Sequence, residues 1–136
     1  MRKSYATKRC HTRIYFGGSD RINGIISAVE DLKISFSSSI LNLSEGGLQF
    51  NQKRSEYRGL QKGDTLILRR IIGLQELVSL ADIPMQIMWL MDNKYLDHVV
   101  MGVAFTKLTG SQRRTLQSFV SAHLALHRDN KGSQPD

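Results

Sequence analysis

Short apolar runs separated by turn-forming residues constrain the fold of this chain more than any other feature of its sequence. Clusters such as Gly46-Gly47 and Asp92-Asn93 interrupt the chain between these runs. Short runs of β-forming residues at this spacing are typical of an all-β barrel or sandwich, and not of alternating β-α units. The runs cover residues 24–29, 34–43, 48–50, 65–72, 83–91 and 99–105.

The end of the chain has a different pattern, which predicts a helix over about 110–128. Thr109 and Gln112 fit a capping box, and apolar residues follow at helical spacing. These apolar residues are Leu116, Phe119, Val120, Leu124 and Leu126. A chain of 136 residues is long enough for one domain with its own core. We therefore predict a single domain over 1–128, followed by a disordered tail over 129–136. Within the domain, we expect a mobile arm over 1–21, a barrel over 22–106 and a helix over 109–128.

The net charge of +7 is concentrated at the N-terminus. Residues 1–21 carry six lysines and arginines against one aspartate, a net +5, which leaves +2 for the rest of the chain. This segment has no regular period and ends in a glycine-rich turn cluster, so we expect a mobile basic arm. A positive arm on a nearly neutral body indicates an anionic partner, which is a nucleotide, a nucleic acid or a membrane surface.

Several classes of protein are disfavoured by what the sequence lacks. The single cysteine, Cys10, excludes an intramolecular disulfide and a zinc site with paired thiolates. No apolar run approaches the roughly 18 residues of a membrane span, and the start lacks the apolar core of a signal peptide, so we expect a cytoplasmic protein without membrane insertion. His123 and His127 have no third ligand, and the sequence shows no paired acid and base or placed nucleophile. We therefore expect neither a metal or cofactor nor enzymatic activity.

Two short motifs carry the most chemistry. Arg9-Cys10-His11-Thr12-Arg13 places two arginines four residues apart, and Asn42-Leu43-Ser44-Glu45-Gly46-Gly47 begins at the end of a predicted strand. Two guanidinium groups on one arm can pair with phosphate or with the O6 and N7 edge of guanine. The Asn amide and the Ser hydroxyl add neutral donors and acceptors, and the glycines let the backbone turn and approach a ligand. Together the motifs predict a clamp for a purine nucleotide.

On these residues the sequence resembles the PilZ domain, a bacterial receptor for cyclic di-GMP (c-di-GMP). The segments 60–68, with the Gly63-Asp64 turn, and 101–105 also resemble that family, so the likeness covers about residues 1–127. The resemblance implies a six-stranded antiparallel β-barrel with a C-terminal helix, cyclic di-GMP as ligand, and a protein partner that receives the signal. The implied ligand-binding residues are Arg9, Arg13, Asn42, Ser44 and Gly47, together with Lys8 and Gly46. Arg13 and Asn42 are separated by 28 residues, a longer spacing than the resemblance implies.

Other interpretations of the same residues stay open. Asn42 and Ser44 can be turn formers that bond their own backbone, and a second Arg-x-x-x-Arg, Arg54 to Arg58, lies out of order and is interpreted as a surface turn. Trp89 and Phe105 are expected in the core and not as platforms for stacking bases. The alternative functions are a PilZ-like module that binds only proteins, and a basic barrel that binds single-stranded nucleic acid.

Overall fold

Seven antiparallel strands and one long helix make up the described part of the chain, residues 11–17, 20–29, 35–57 and 59–133 of a computed structural model, with side chains as far as Leu124. The strands are β1 Ile14–Tyr15, β2 Asn23–Ala28, β3 Ser35–Leu43, β4 Gly47–Lys53, β5 Thr65–Ile72, β6 Ala81–Met91 and β7 His98–Phe105. The helix α1 is Gly110–Ser133, and two short 3-10 helices lie at Arg54–Glu56 and Gln75–Leu77. Strands β2–β7 match the six apolar runs, which confirms the mainly β prediction.

The six strands β2–β7 close into a barrel. Their order is β3-β2-β5-β6-β7-β4, and β3 also pairs with β4, so the two ends of the sheet meet. All of these pairings are antiparallel. The short strand β1 lies outside the barrel and pairs with the end of β3. The structure therefore confirms the six-stranded antiparallel barrel with a C-terminal helix and adds one outer strand.

The core fills the barrel with alternate residues of each strand. Leu66 and Leu68 of β5 are fully buried, as are Ile83, Met85 and Met101 of β6 and β7. Burying a side chain of this size stabilises the fold by roughly 1.5–3 kcal/mol. One face of each strand therefore holds the barrel together, and the other face is left free to carry polar or functional groups.

The helix α1 packs against the barrel through the predicted apolar stripe. Leu116, Phe119 and Val120 are buried. The capping box is also confirmed, since the Thr109 N–H donates to Gln112 Oε1 at 2.9 Å and the Gln112 N–H to Thr109 Oγ1 at 3.0 Å. The helix ends at Ser133, later than the predicted 128. Part of the predicted tail is thus helical.

The N-terminal segment is partly a strand, where the sequence predicts an arm over 1–21. After β1, the Phe16 N–H donates to Leu41 O at 3.0 Å, and the Ile40 N–H donates to Ile22 O at 2.9 Å. Neighbouring positions of β3 thus bond residues 16 and 22. The five residues between these two positions add to the sequence spacing between the two motifs. Residues 1–10 lie outside the described part of the chain.

Candidate functional site

The outer strand β1 brings the two predicted motifs together. Pairing Ile14 with Leu43 and Tyr15 with Asn42 places Arg13 beside the end of β3. Arg13 Nη1 donates a hydrogen bond to Asn42 Oδ1 at 2.7 Å, across 29 positions of sequence. The Arg13 side chain is half-buried, and this hydrogen bond directs its guanidinium towards the end of β3. Sheet pairing, and not a free arm, therefore sets where this guanidinium lies.

The loop after β3 is held by its own backbone and by Ser44. The Ser44 N–H donates to Gly47 O at 2.9 Å, the Gly46 N–H donates to Ser44 Oγ at 3.1 Å, and that hydroxyl donates to Gly47 O at 3.3 Å. Ser44 is 1% exposed. These contacts fit the alternative interpretation, in which Ser44 shapes the turn. Ser44 and Gly46 of the same turn line one surface pocket together with Arg13.

Neighbouring atoms lie very close to the backbone at the two glycines of this loop. A β-carbon at position 47 would lie 2.0 Å from Val103 O, so Gly47 allows β4 to meet β7. A β-carbon at position 46 would lie 2.5 Å from His11 Cδ2, so Gly46 lets the His11 ring rest on the loop backbone. Position 47 needs glycine for lack of space, because its neighbour is backbone, whereas the exposed His11 side chain beside position 46 can move. Neither glycine has the positive φ of a strained turn.

Asn42 is buried between two polar neighbours. It is 1% exposed, and while its Oδ1 accepts from Arg13, its Nδ2 donates to Gln49 Oε1 at 2.8 Å. Gln49 lies opposite Asn42 in the β3–β4 pairing and opposite Gly102 in the β4–β7 pairing. Gln49 was not among the predicted site residues, because its contact with Asn42 depends on the register between two strands. Arg13, Asn42, Gln49 and Gly102 thus form a row across neighbouring strands on the outer face of the barrel.

Trp89 ends this row, and its position corrects the prediction that it lies in the core. The indole is 38% exposed and covers Gly102, where a β-carbon would lie 2.2 Å from Trp89 Nε1. A shift in register between Ile87 and Trp89 turns Trp89 outward while Ile87 stays inside. A glycine within β7 was the available signal, because it often marks close approach of another group. Phe105, by contrast, packs against the core.

A small pocket lies between these groups. It has a volume of about 140 Å³ and is lined by His11, Arg13, Ser44, Gly46, Met88, Trp89, Gly102, Val103 and Ala104. The lining combines small residues with the guanidinium of Arg13 and the indole of Trp89. Larger grooves of about 510 and 520 Å³ lie along α1 and beside Gln75–Leu77, but no motif residue lines them. We take the smaller pocket as the candidate site because the polar groups converge there.

The remaining predicted residues divide into two groups. Lys8 and Arg9 lie outside the described residues, so their relation to the pocket is a prediction. In the second Arg-x-x-x-Arg motif, the first arginine, Arg54, bonds backbone carbonyls. Its Nε donates to Leu96 O at 2.8 Å, and its Nη2 donates to Asn93 O at 2.6 Å. Arg54 thereby fixes the turn between β6 and β7.

The described residues do not form the metal site that His123 and His127 could suggest. His123 Nδ1 lies 3.1 Å from Phe119 O and its ring packs on Phe119, with centroids 4.1 Å apart. Within the described ranges, no group of three or more His, Cys, Asp or Glu residues could hold a metal ion. None of the helical structure described is long and apolar enough to cross a membrane.

Comparisons with known proteins agree with this architecture. The family model of the PilZ domain matches residues 8–122. The chain is similar to a structure of the PilZ domain of YcgR from Escherichia coli with c-di-GMP, with a TM-score of 0.64 and 15% identity over 93% of this chain and 99% of that one. None of the curated proteins matches the sequence.

Two longer proteins contain a similar fold. The structure of the K. pneumonia MrkH–c-di-GMP complex aligns with a TM-score of 0.67 and 12% identity over 90% of this chain and 55% of that one. The Bacillus subtilis inhibitor of motility (MotI/DgrA) aligns with a TM-score of 0.62 and 14% identity over 87% of this chain and 52% of that one. The chain thus spans about half the length of these two proteins. At these identities the likeness establishes the fold.

Proposed function

This chain belongs to the PilZ domain family, and from that membership we propose that it is a receptor for cyclic di-GMP. The observation that carries the proposal is the hydrogen bond of 2.7 Å from Arg13 to Asn42, which joins the two motifs beside one pocket. Proteins with this fold have been solved with c-di-GMP bound, among them YcgR and MrkH. The proposed ligand residues are those of the motifs: Lys8, Arg9, Arg13, Asn42, Ser44, Gly46 and Gly47.

Arg13 is proposed as the anchor for the anionic ligand. A guanidinium has five N–H donors, and the contact with Asn42 uses one of them. The others can bond a phosphate, or the O6 and N7 atoms of guanine, in a bidentate way. Because Arg13 is half-buried and bonded to Asn42, its guanidinium is oriented beside the pocket before a ligand binds. This pre-orientation supports tight binding by a site with few contacts.

Trp89 is proposed as the platform for one base. Its indole borders the pocket and is partly exposed, and aromatic faces of this kind stack on purines with about 1–3 kcal/mol per base. The pocket volume of about 140 Å³ is well below the roughly 300–1,000 Å³ that encloses a drug-sized ligand. A dinucleotide would therefore lie mostly across this pocket and need further contacts.

We assign those further contacts to residues 1–10, which carry Lys8 and Arg9. In this proposal the ligand draws the two side chains towards the pocket, and the N-terminal segment changes its conformation as it binds. The altered surface then signals to a protein partner. The described structure supports the location, because the chain reaches the pocket at His11.

Calorimetric titration of cyclic di-GMP tests the proposal. The wild-type protein, Arg9→Ala and Arg13→Ala are compared, with GMP as ligand control. Loss of a charge-assisted contact weakens binding by about ten- to a hundredfold. Arg113→Ala is the matched control, because Arg113 is an exposed arginine on α1 outside the pocket lining and its loss changes the net charge equally. Selective binding that both motif variants weaken supports the receptor.

The outcomes also separate the alternatives. A folded wild-type protein that does not bind cyclic di-GMP contradicts the receptor and favours a module that binds only proteins. Binding of single-stranded DNA that falls steeply with salt, without preference for the cyclic dinucleotide, favours the nucleic-acid barrel. Hydrogen exchange tests the conformational step on its own, since residues 1–10 should gain protection with ligand. Unchanged protection at saturation would contradict that step alone, and pull-down with and without ligand tests the protein partner.

A further inference from the structure

We infer that Gln49 is a positioning residue of this site, because it fixes which end of the Asn42 side chain faces Arg13. The inference rests on the proposed function for its ligand. The two residues lie directly opposite each other in the pairing of β3 with β4, and their side chains are joined by a hydrogen bond of 2.8 Å. Gln49 is outside both sequence motifs, so its role follows from the strand register.

The chemistry of the row allows one orientation of Asn42. A carboxamide has an acceptor end and a donor end, whereas a guanidinium can only donate. Arg13 therefore requires Oδ1 of Asn42, which it meets at 2.7 Å. The NH₂ end must then point to the opposite side, towards β4. There it needs an acceptor, and Gln49 Oε1 supplies one.

Burial makes this partner necessary. Asn42 is 1% exposed, so bulk water cannot replace the acceptor on β4. Without Gln49, an unpaired N–H₂ group would be left inside the structure, at the cost of a buried unsatisfied donor. Without the acceptor on β4, the carboxamide would be held in this orientation from the Arg13 side and no longer from both sides. Its Oδ1 would then be fixed less firmly, and so would the guanidinium that it directs to the pocket.

This requirement is specific to asparagine. An aspartate at position 42 would have two equivalent oxygens and could accept from Arg13 in either orientation. Gln49 would then be dispensable for the direction of Arg13. The role of Gln49 therefore depends on the residue at position 42, and that dependence is measurable.

A double-mutant cycle tests the inference with cyclic di-GMP as the probe. Gln49→Leu is expected to weaken binding by about tenfold when residue 42 is Asn, and by less than about twofold in the Asn42→Asp background. Asn51→Leu is the matched control, because Asn51 is a half-buried polar residue of the same strand that pairs with Ser39 instead of Asn42. Equal losses in the two backgrounds, or no loss in either, would overturn the inference.

NMR of the free protein tests, without any ligand, whether Gln49 holds the side chain of Asn42. The Asn42 side-chain NH₂ protons should exchange slowly with water in the wild type, faster in Gln49→Leu, and slowly again in Gln49→Glu, which keeps an acceptor. If the wild type does not bind cyclic di-GMP, the receptor proposal fails, while this exchange pattern still tests the orientation. Exchange that is indifferent to residue 49 would show that Gln49 does not hold Asn42.

Discussion

The indole of Trp89 covers Gly102 of the neighbouring strand so closely that a β-carbon there would lie 2.2 Å from Trp89 Nε1. The two residues are paired in the β6–β7 register, and the indole borders the pocket that also contains Arg13. Gly102 therefore contributes to the site because it has no side chain, which leaves room for the indole of Trp89. The relationship gives the wall of the pocket a defined position without any polar contact.

Gly102→Ala should displace the indole and weaken cyclic di-GMP binding. The added methyl group overlaps the ring, and because Trp89 is 38% exposed the ring can move outward instead of unfolding the barrel. We expect a loss of stability of about 1–3 kcal/mol and a red-shifted tryptophan emission. Gly110→Ala is the control, because its β-carbon would meet only Arg114, at 3.4 Å. An unchanged emission spectrum would contradict this geometry.

Ligand binding should change the fluorescence of Trp89, which is the single tryptophan of the chain. A purine stacked on the indole alters its emission, so titration with cyclic di-GMP should give a saturable signal. In Arg13→Ala the midpoint should move to about ten- to a hundredfold higher ligand concentration. A signal that saturates at the same concentration in both proteins would show that Arg13 is not part of the clamp.

Arg54→Ala should lower stability without affecting ligand affinity. Arg54 bonds two carbonyls of the β6–β7 turn and pairs with Asp92 at 2.7 Å, in a partly exposed setting. We expect a loss of about 1–3 kcal/mol in denaturant unfolding. Arg69→Ala is the control, since its more exposed pair with Asp82 should contribute less than about 1 kcal/mol. Weaker cyclic di-GMP binding by folded Arg54→Ala would move the site towards the second arginine motif.

Ser44→Ala should destabilise the loop that borders the pocket. The buried hydroxyl accepts from the Gly46 N–H at 3.1 Å, and its loss leaves that donor without its partner. We expect the free energy of unfolding to fall by about 1–2 kcal/mol. Ser37→Ala, on the exposed face of β3, should change it by less than about 0.5 kcal/mol. Equal effects of the two substitutions in thermal unfolding would argue against this role.

Stability should fall at high pH through Tyr57. Burial raises the pKa of this phenol above its usual value of about 10, and the carboxylate of Asp92 adds to the effect. The folded state holds the proton more tightly, so the contribution is complete below about pH 10 and is lost as pH rises through the raised pKa. Urea unfolding between about pH 9 and 11 should show a steeper decline for the wild type than for Tyr57→Phe. An equal loss of stability with pH in the wild type and in Tyr57→Phe would show that Tyr57 does not cause the decline.

Much of the fold was predictable because strand and helix signals are local. Turn residues and apolar runs gave the six barrel strands, and Thr109 with Gln112 marked the start of α1. The bonding of residues 16 and 22 to neighbouring positions of β3 was not predictable, since these contacts depend on how distant segments pair in the sheet. The end of α1 was placed too early, because weak helix signals continue beyond residue 128.

By itself, the sequence determined which residue types the site contains and in what order, and with them the family and the fold. Tertiary structure alone decided which of these side chains meet. Side chains alternate along a strand, and a shift in register by one residue exchanges the two faces. The shift between Ile87 and Trp89 therefore places the indole at the pocket and not in the core where it was expected. In the same way, only the pairing of β3 with β4 brings Gln49 to Asn42, because register between distant strands is set by the packed barrel and not by local sequence.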